Sequence, residues 1–181
     1  MKTRLCLDLE LKIRQCARQD LPQLEWFGLY TEHRQHIEDA FRRQQAGEVI
    51  MLVADLDGFP VGQAWLDLSA READSVGVIW ALRVFPVLRN HGIGTHLMIA
   101  AEQLLTERGF RWVELTVDQH EPRPRRLYER LGYRSAGSTE GLLSYTTPEE
   151  KSVALNLQLW ILRKPLRPPA TEWEVSQTSR E

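Results

Sequence analysis

The sequence predicts a mixed α/β domain built on one sheet, with a parallel strand pair at the centre and antiparallel pairs around it. The parallel pair is predicted by a strand over residues 76–84, a helix over 95–108 and a strand over 112–117, because a strand–helix–strand unit returns the chain in the same direction. The turn signal Asp57-Gly58 predicts an antiparallel hairpin before this unit. The length of 181 residues suits a single domain.

The first elements follow from period-two alternation and from residues typical of helix starts. Residues 5–13 carry leucine or isoleucine at every second position, which predicts a half-buried first strand. Asp20 can cap a helix and Pro22 fits a first helical turn, so we expect one or two helices over residues 21–45.

The central elements are predicted by apolar runs. The hairpin joins strands over residues 49–54 and 61–68. The strand over 76–84 alternates, with one face formed by Val76, Val78, Trp80, Leu82 and Val84. The helix over 95–108 has an apolar stripe and ends near Gly109.

The last third continues the same alternation of helix and strand. After the strand over 112–117 we expect a helix over 122–131, strands over 133–138 and 154–162, and a long connection over 139–151 between those strands. Residues 1–166 are therefore assigned to the single domain. Residues 167–181 have no periodicity and are expected to form a mobile tail.

Composition narrows the class of protein. A net charge of −2 provides no strong attraction to nucleic acid or to an anionic membrane, and no apolar stretch could span a bilayer, so neither partner is expected. Two cysteines without a Cys-x-x-Cys pair fit a reducing, cytoplasmic location. His33 and His36 have the spacing of a metal pair but lack a third ligand, so no metal is expected.

The run from Arg89 to Thr95 carries the strongest chemical signal. It reads Arg-x-x-Gly-x-Gly and opens a helix after a strand, which directs backbone N–H groups, the helix dipole and an arginine charge at one point. This predicts a diphosphate site formed by Arg89, Asn90, His91, Gly92, Ile93, Gly94 and Thr95. The spacing differs from dinucleotide and nucleotide-triphosphatase loops.

Two motifs together resemble the GNAT N-acetyltransferase superfamily, over about residues 11–166. The first is Leu82-x-Val84-x-Pro86-x-x-Arg89-x-x-Gly92-x-Gly94. The second is Val113-x-Leu115-x-Val117 followed by Arg126-Leu127-Tyr128-Glu129-Arg130-Leu131-Gly132-Tyr133. The resemblance implies a GNAT-like, mostly antiparallel sheet with a splayed parallel pair and flanking helices.

The resemblance also implies a co-substrate and several residue roles. Acetyl-CoA would lie in the splay, with its pantetheine paired to main-chain groups of Leu82, Arg83 and Val84 and its pyrophosphate on the loop. Tyr128 would contact the coenzyme and act as the general acid that protonates the leaving thiolate, because a phenol stays protonated at neutral pH.

The chain departs from the family pattern near the coenzyme. Glu121 stands where the family often has asparagine, and Pro124 where it often has alanine. Glu121 and Arg125 are still expected at the coenzyme. Arg123 and Arg126 either meet its phosphates or begin a solvated helix.

The general base is not fixed by the sequence. Trp80 stands near the position where many family members have a glutamate, and tryptophan cannot take a proton. Asp118 is the first candidate for the general base. His120, Glu114 and Asp67 are alternatives, and it is also open that no side chain serves as the base.

The acceptor pocket is expected to contain Trp26, Tyr30 and Trp80, with Trp65, His33 and Glu25 nearby, although these aromatic residues would equally suit a core. Aromatic rings and carboxylates would suit a protonated amine. The primary hypothesis is an acetyl-CoA-dependent N-acetyltransferase acting on a small-molecule amine. A protein or peptide acetyltransferase and a non-catalytic acyl-CoA-binding module are the alternatives, and a homodimer is left open.

Overall fold

In residues 10–146 and 152–166, which the computed structural model describes, seven strands form one sheet in the order β1-β2-β3-β4-β5-β7-β6. The strands are β1 Leu11–Gln15, β2 Val49–Leu56, β3 Phe59–Asp67, β4 Val76–Val84, β5 Trp112–Asp118, β6 Arg134–Thr146 and β7 Ser152–Pro165. The helices are α1 Arg34–Gln45, α2 Ile93–Glu107 and α3 Pro122–Arg130. Only the β4–β5 pair is parallel in this part of the chain, so the predicted fold class is confirmed.

The two faces of the sheet are covered by different elements. On one face, α2 packs against β2, β3 and β4 so closely that a Cβ added at Gly77 would lie 2.4 Å from Leu105 Cδ2. Tyr128 of α3 joins the same core. On the other face, Ile37 and Phe41 of α1 pack on β2 and on Trp65 of β3.

The region before α1 is less helical than expected. Three short 3₁₀ turns, Arg18–Asp20, Gln23–Glu25 and Thr31–His33, precede the single α-helix. The reason is local, since Trp26, Phe27 and Gly28 all have positive φ values of 45°, 60° and 95°, which no right-handed helix contains.

Two strand boundaries differ from the prediction. β1 is confirmed over Leu11–Ile13 and extends to Gln15, while the predicted segment 5–9 lies outside the described residues. The predicted connection over 139–151 is wrong for residues 139–146, because β6 continues to Thr146 and stays paired with β7. Residues 147–151 and 167–181 lie outside the described part of the chain.

The described helices include none that is both long and apolar enough to cross a membrane. Within the same residues, no group of three or more His, Cys, Asp or Glu side chains is placed to hold a metal ion.

Candidate functional site

The parallel pair opens into a gap. β4 and β5 pair at only three positions, the last being Val78 opposite Glu114. Beyond these, β4 continues to Val84 and β5 to Asp118 without pairing with each other, while β5 is paired with β7 on its other edge from Trp112 to Asp118. On the edge of β4 that faces the gap, the main-chain groups of Leu82 and the N–H of Val84 are left without a strand partner, while Arg83 is paired with Gln63 of β3. An extended ligand could pair with these free groups as an added strand does.

A β-bulge at Ala81 decides which side chains face which side of the sheet. Ala81 has φ 53°, and the register of β3 and β4 shifts between Gln63 and Trp65. Trp80 lies opposite Trp65 and Arg83 opposite Gln63, so both point to the α1 face. Leu82 and Val84 pack instead with α2. The predicted alternation from Val76 to Val84 is wrong beyond Trp80, because one extra residue in a strand inverts every later side chain.

The bulge can be tested by substituting Ala81, the residue of the bulge that has a positive φ. Ala81→Val should lower the free energy of unfolding by about 2 kcal/mol or more, because a β-branched side chain is strongly disfavoured at positive φ. Ala81→Gly should change it by less than about 1 kcal/mol. Urea denaturation of both variants measures this, and equal stabilities would contradict the bulge.

The loop before α2 leaves backbone N–H groups without partners at the start of the helix. Asn90 and Gly92 have φ 66° and 84°, and Gly92 is the N-cap of α2 without a side-chain cap. The first N–H groups of a helix have no partner within it, so those of Ile93, Gly94 and Thr95 are available to a ligand. Arg89 donates from Nε to the Val84 carbonyl at 3.1 Å, which ties the loop to the end of β4.

The rings of two histidines contact backbone carbonyls of this loop. Nδ1 of His91 lies 2.9 Å from the Arg89 carbonyl, and Nδ1 of His96 lies 3.0 Å from that of Gly92. A Cβ added at Gly94 would lie 3.7 Å from both Leu127 and Val84. The start of α2 thus lies between the end of β4 and α3, at the mouth of the gap.

Tyr128 is a buried phenol on the α2 side of the sheet. It is 8% exposed, and its ring meets that of Tyr133 edge to face, with centroids 5.9 Å apart. Burial raises the pKa of Tyr128 to about 12. The residue therefore keeps its proton at neutral pH, as a general acid must.

The residues beside Tyr128 in sequence are mostly exposed. Glu121 is exposed at the N-cap of α3. Arg125 donates to Glu129 at 2.8 Å, and its guanidinium lies 5.1 Å from the Trp160 ring centroid, so part of its charge is already used within the protein.

The base candidates from the sequence have different surroundings. Glu114 lies between Arg71 and Arg163, with contacts of 2.5–2.9 Å, and serves as a structural ion pair. Burial alone would raise the pKa of Asp67, but hydrogen bonds from Ala70 and Arg43 bring it below its ordinary value.

Asp118 lies at the end of β5, beside the gap. It accepts hydrogen bonds from the backbone N–H of His120 at 2.8 Å and from its ring at 3.1 Å. The backbone hydrogen bond from His120 is the main reason that the pKa of Asp118 is lowered. A carboxylate with a lowered pKa is a weak proton acceptor.

On the α1 face, the predicted acceptor residues form a layered cluster. Trp26 is buried, donates to the Pro60 carbonyl at 2.7 Å and packs edge to face on Tyr30, with centroids 5.4 Å apart. The Tyr30 ring lies 4.6 Å from the Arg83 guanidinium. Trp80 packs edge to face on Trp65 at 4.7 Å. Tyr30 and Trp80 are half-buried, whereas Trp26 is buried and packs on Tyr30.

The charges in this cluster differ from the sequence-based picture. Glu25 is held by Arg34, with contacts of 2.6 and 2.8 Å, and this pairing lowers its pKa. Arg83 has no hydrogen bond or ion pair with any described residue. The cluster thus contains an unpaired guanidinium, with the carboxylate of Glu32 near enough to attract it but not bonded to it, where the sequence predicted carboxylates alone.

His33 completes the cluster. Its ring centroid lies 5.7 Å from that of Tyr30. Burial, together with the charge of Arg83, lowers the pKa of His33, so its imidazole is neutral at pH 7. No proton-transfer role for His33 is predicted from the sequence, because the proximity of Arg83 depends on the bulge in β4.

Comparison with known families agrees with this arrangement. The family described as "Acetyltransferase (GNAT) family" matches residues 17–133. An uncharacterized N-acetyltransferase of Archaeoglobus fulgidus is 31% identical over 133 residues, covering 65% of this chain and 89% of that protein. Mycothiol acetyltransferase of Clavibacter sepedonicus is 32% identical over 87 residues, or 48% of this chain, and the match spans 27% of that protein's length.

Solved structures show the same fold. The ribosomal-protein-S18-alanine N-acetyltransferase of Escherichia coli has a TM-score of 0.65 at 18% identity, covering 90% of this chain and 97% of that one. A phosphinothricin acetyltransferase from Sinorhizobium meliloti, in complex with AcCoA, has a TM-score of 0.67 at 19% identity, covering 90% and 92%. The family match spans more than half of the chain and the archaeal relative is covered almost throughout. The chain therefore belongs to the GNAT acetyltransferase family and is an acyltransferase.

Proposed function

We propose that the protein transfers an acetyl group from acetyl-CoA to a primary amine of a small molecule. The observation that carries this proposal is the gap between β4 and β5, because the free N–H groups that begin α2 lie next to the end of β4 and Tyr128 packs in the same core as α2. An extended arm ending in a diphosphate fits such a site, because β4 offers free main-chain groups and α2 offers free N–H groups.

The reaction then needs two proton movements. The amine nitrogen attacks the thioester carbonyl, a C–N bond forms and the C–S bond breaks. Tyr128 donates its proton to the departing sulfur, which leaves as a thiol. The amine gives up one proton as the amide forms, so a base is required.

We propose His33 as that base, ahead of Asp118. His33 lies in the cluster that would hold the acceptor, and its lowered pKa leaves it neutral. The carboxylate of Asp118 is already hydrogen-bonded by His120 and is a weaker base. Asp118 remains the second candidate.

The pH profile separates the two. Three groups act on the charge of His33: Arg83 and His36 lower its pKa, and Glu32 raises it. Because the pKa of His33 is lowered from 6.5, kcat at saturating acceptor should show no acid limb due to His33 above about pH 6.5 and should fall only below it. His33→Gln should lower kcat by about 10-fold or more and remove this acid limb. If the acid limb is unchanged in His33→Gln but is lost in Asp118→Asn, the base is Asp118.

We favour a small acceptor over a protein because of what surrounds the cluster. β6 contacts the Thr31–His33 turn, so the cluster is bordered on two sides by ordered elements. The named relatives do not decide this, since they include a ribosomal-protein acetyltransferase as well as mycothiol and phosphinothricin acetyltransferases. We also propose a cytoplasmic location, in keeping with the free, buried Cys16.

Thiol release from acetyl-CoA tests the proposal. The purified protein is incubated with amines, amino acids, aminoglycosides and peptides, and free CoA is measured. We expect turnover with at least one small amine and a rise in Tm with acetyl-CoA. Turnover on peptides alone would favour the protein acetyltransferase, and coenzyme binding without any turnover would favour a binding module. If the protein shows neither coenzyme binding nor turnover, all three hypotheses are refuted.

A further inference from the structure

Arg83 differs from the other half-buried arginines of the described residues. Arg14 pairs with Asp20 and Asp55, and Arg71 and Arg163 share Glu114. Arg83 has no such partner, although burial lowers its pKa and its guanidinium lies against the Tyr30 ring. Glu32 attracts it but forms no ion pair with it within 4.0 Å. Keeping a partly buried cation unpaired is costly, so its retention points to a charge that arrives from outside.

A second group without a hydrogen-bond partner, the side-chain amide of Gln63, lies on the strand next to Arg83. Gln63 faces Arg83 across the β3–β4 ladder, and such opposed side chains have Cβ atoms about 5 Å apart. Gln63 is 0% exposed, yet neither its amide oxygen nor its amide nitrogen has a hydrogen-bond partner. A buried amide in that state costs about 1–3 kcal/mol. The two groups are adjacent and complementary but remain unpaired.

The pair suggests a guanidinium that changes position when a ligand binds. If Arg83 turns towards a carboxylate, one of its N–H groups can donate to Gln63 Oε1 while two others bind the carboxylate in parallel. Gln63 is closed to solvent, so it would act on Arg83 and not on the ligand. It is therefore a positioning residue.

We propose that the acceptor amine also bears a carboxylate, as a free amino acid does, and that Arg83 binds this carboxylate while Gln63 orients Arg83. The inference rests on the proposed acetyl transfer. It reverses the electrostatics expected from the sequence, because Glu25 is taken by Arg34 and the free charge in the cluster is positive.

Matched acceptors test the proposal in the wild-type protein. Each amino acid is compared with its carboxamide and with the amine that lacks the carboxyl group, and kcat/KM is measured by thiol release. We expect the carboxylate form to be preferred about 30-fold or more. Equal rates for carboxylate and carboxamide, or activity only on peptides whose C-terminus is amidated, would overturn the proposal.

Three variants test the residues. Arg83→Gln should lower kcat/KM for the carboxylate acceptor about 30-fold, mainly through KM, and for the carboxamide less than about 3-fold. Gln63→Glu places a carboxylate against Arg83, so it should raise Tm and still weaken carboxylate acceptors. Gln63→Met should keep the fold and give a smaller loss. An equal loss for both acceptors in Arg83→Gln, or weaker CoA binding in that variant, would show that Arg83 serves another purpose.

A binding measurement separates this inference from the proposed function. Amino acids are titrated against the CoA-loaded protein, with the fluorescence of Trp80 and its neighbours as readout. Binding that Arg83→Gln abolishes, without turnover of any amine, would support the carboxylate site and refute the acetyl transfer. Turnover of amines without carboxylate binding would support the acetyl transfer and refute the carboxylate site.

Discussion

Replacing Tyr128 with phenylalanine is expected to lower kcat by about 100-fold or more, with little change in the KM for acetyl-CoA. The ring would keep its packing in the core, and only the hydroxyl would be lost. General acid catalysis contributes about 10²–10⁴-fold, so removing the donor should cost at least the lower figure. Steady-state thiol release on an acceptor identified for the wild type measures the effect.

Tyr133 provides a matched control for this experiment. It is also buried, lies 5.9 Å from Tyr128 between ring centroids, and its hydroxyl has no hydrogen-bond partner. Tyr133→Phe should therefore leave kcat within about 3-fold of the wild type. If both variants lose activity equally, packing and not proton donation explains the loss.

The pH dependence gives an independent check on Tyr128. Because burial raises its pKa to about 12, the phenol keeps its proton throughout the usual range of assays. Wild-type kcat should show no alkaline decline below about pH 10 that is due to this residue. A decline near pH 8 that disappears in Tyr128→Phe would contradict the environment described for it.

Introducing a negative charge at Thr95 should weaken coenzyme binding by about 10–100-fold without harming the fold. Thr95 is the third residue of α2, where a glutamate side chain interacts favourably with the helix dipole. The same charge would repel a diphosphate bound to the first turn. At an effective dielectric of 20, two unit charges 4 Å apart interact by about 4 kcal/mol, and screening reduces this to the range given.

Opposite effects on folding and binding make the Thr95 experiment decisive. Thr95→Glu should keep or raise Tm in the absence of ligand, while the Kd for CoA measured by calorimetry rises. Thr95→Gln has nearly the same size without the charge and should bind CoA within about 3-fold of the wild type. The Glu variant should regain part of its affinity at high salt. Unaltered CoA affinity in Thr95→Glu would remove the diphosphate from this loop.

The elements with strong local signals were predicted well. The core helix α2, the strand β5 and the hairpin at Asp57-Gly58 lie where apolar periodicity and turn residues placed them. Fold class followed from their order, because a strand–helix–strand unit fixes a parallel pair. The lengths of β6 and β7 were missed, since pairing with a partner strand extends a segment whose own sequence reads as a connection.

Candidate site residues were predicted in part. The loop from Arg89 to Thr95 follows from its spacing, and Tyr128 follows from the resemblance to the family; the structure gives their positions, and their roles stay predictions. The charge of the acceptor cluster could not be read that way. Whether Glu25 is free depends on Arg34, nine residues further along the chain, and no local pattern announces that pair.

The sequence by itself determined the fold class, the family and the loop expected to hold a diphosphate, because these depend on local periodicity and on motifs within a few turns of chain. Only the tertiary structure decided the chemistry of the α1 face. Ala81, with its positive φ, is the extra residue of a bulge in β4. The bulge places the side chain of Arg83 beside Gln63 and Tyr30. The bulge at Ala81 therefore decides that Arg83 lies on the α1 face, because strand side chains alternate with a period of two.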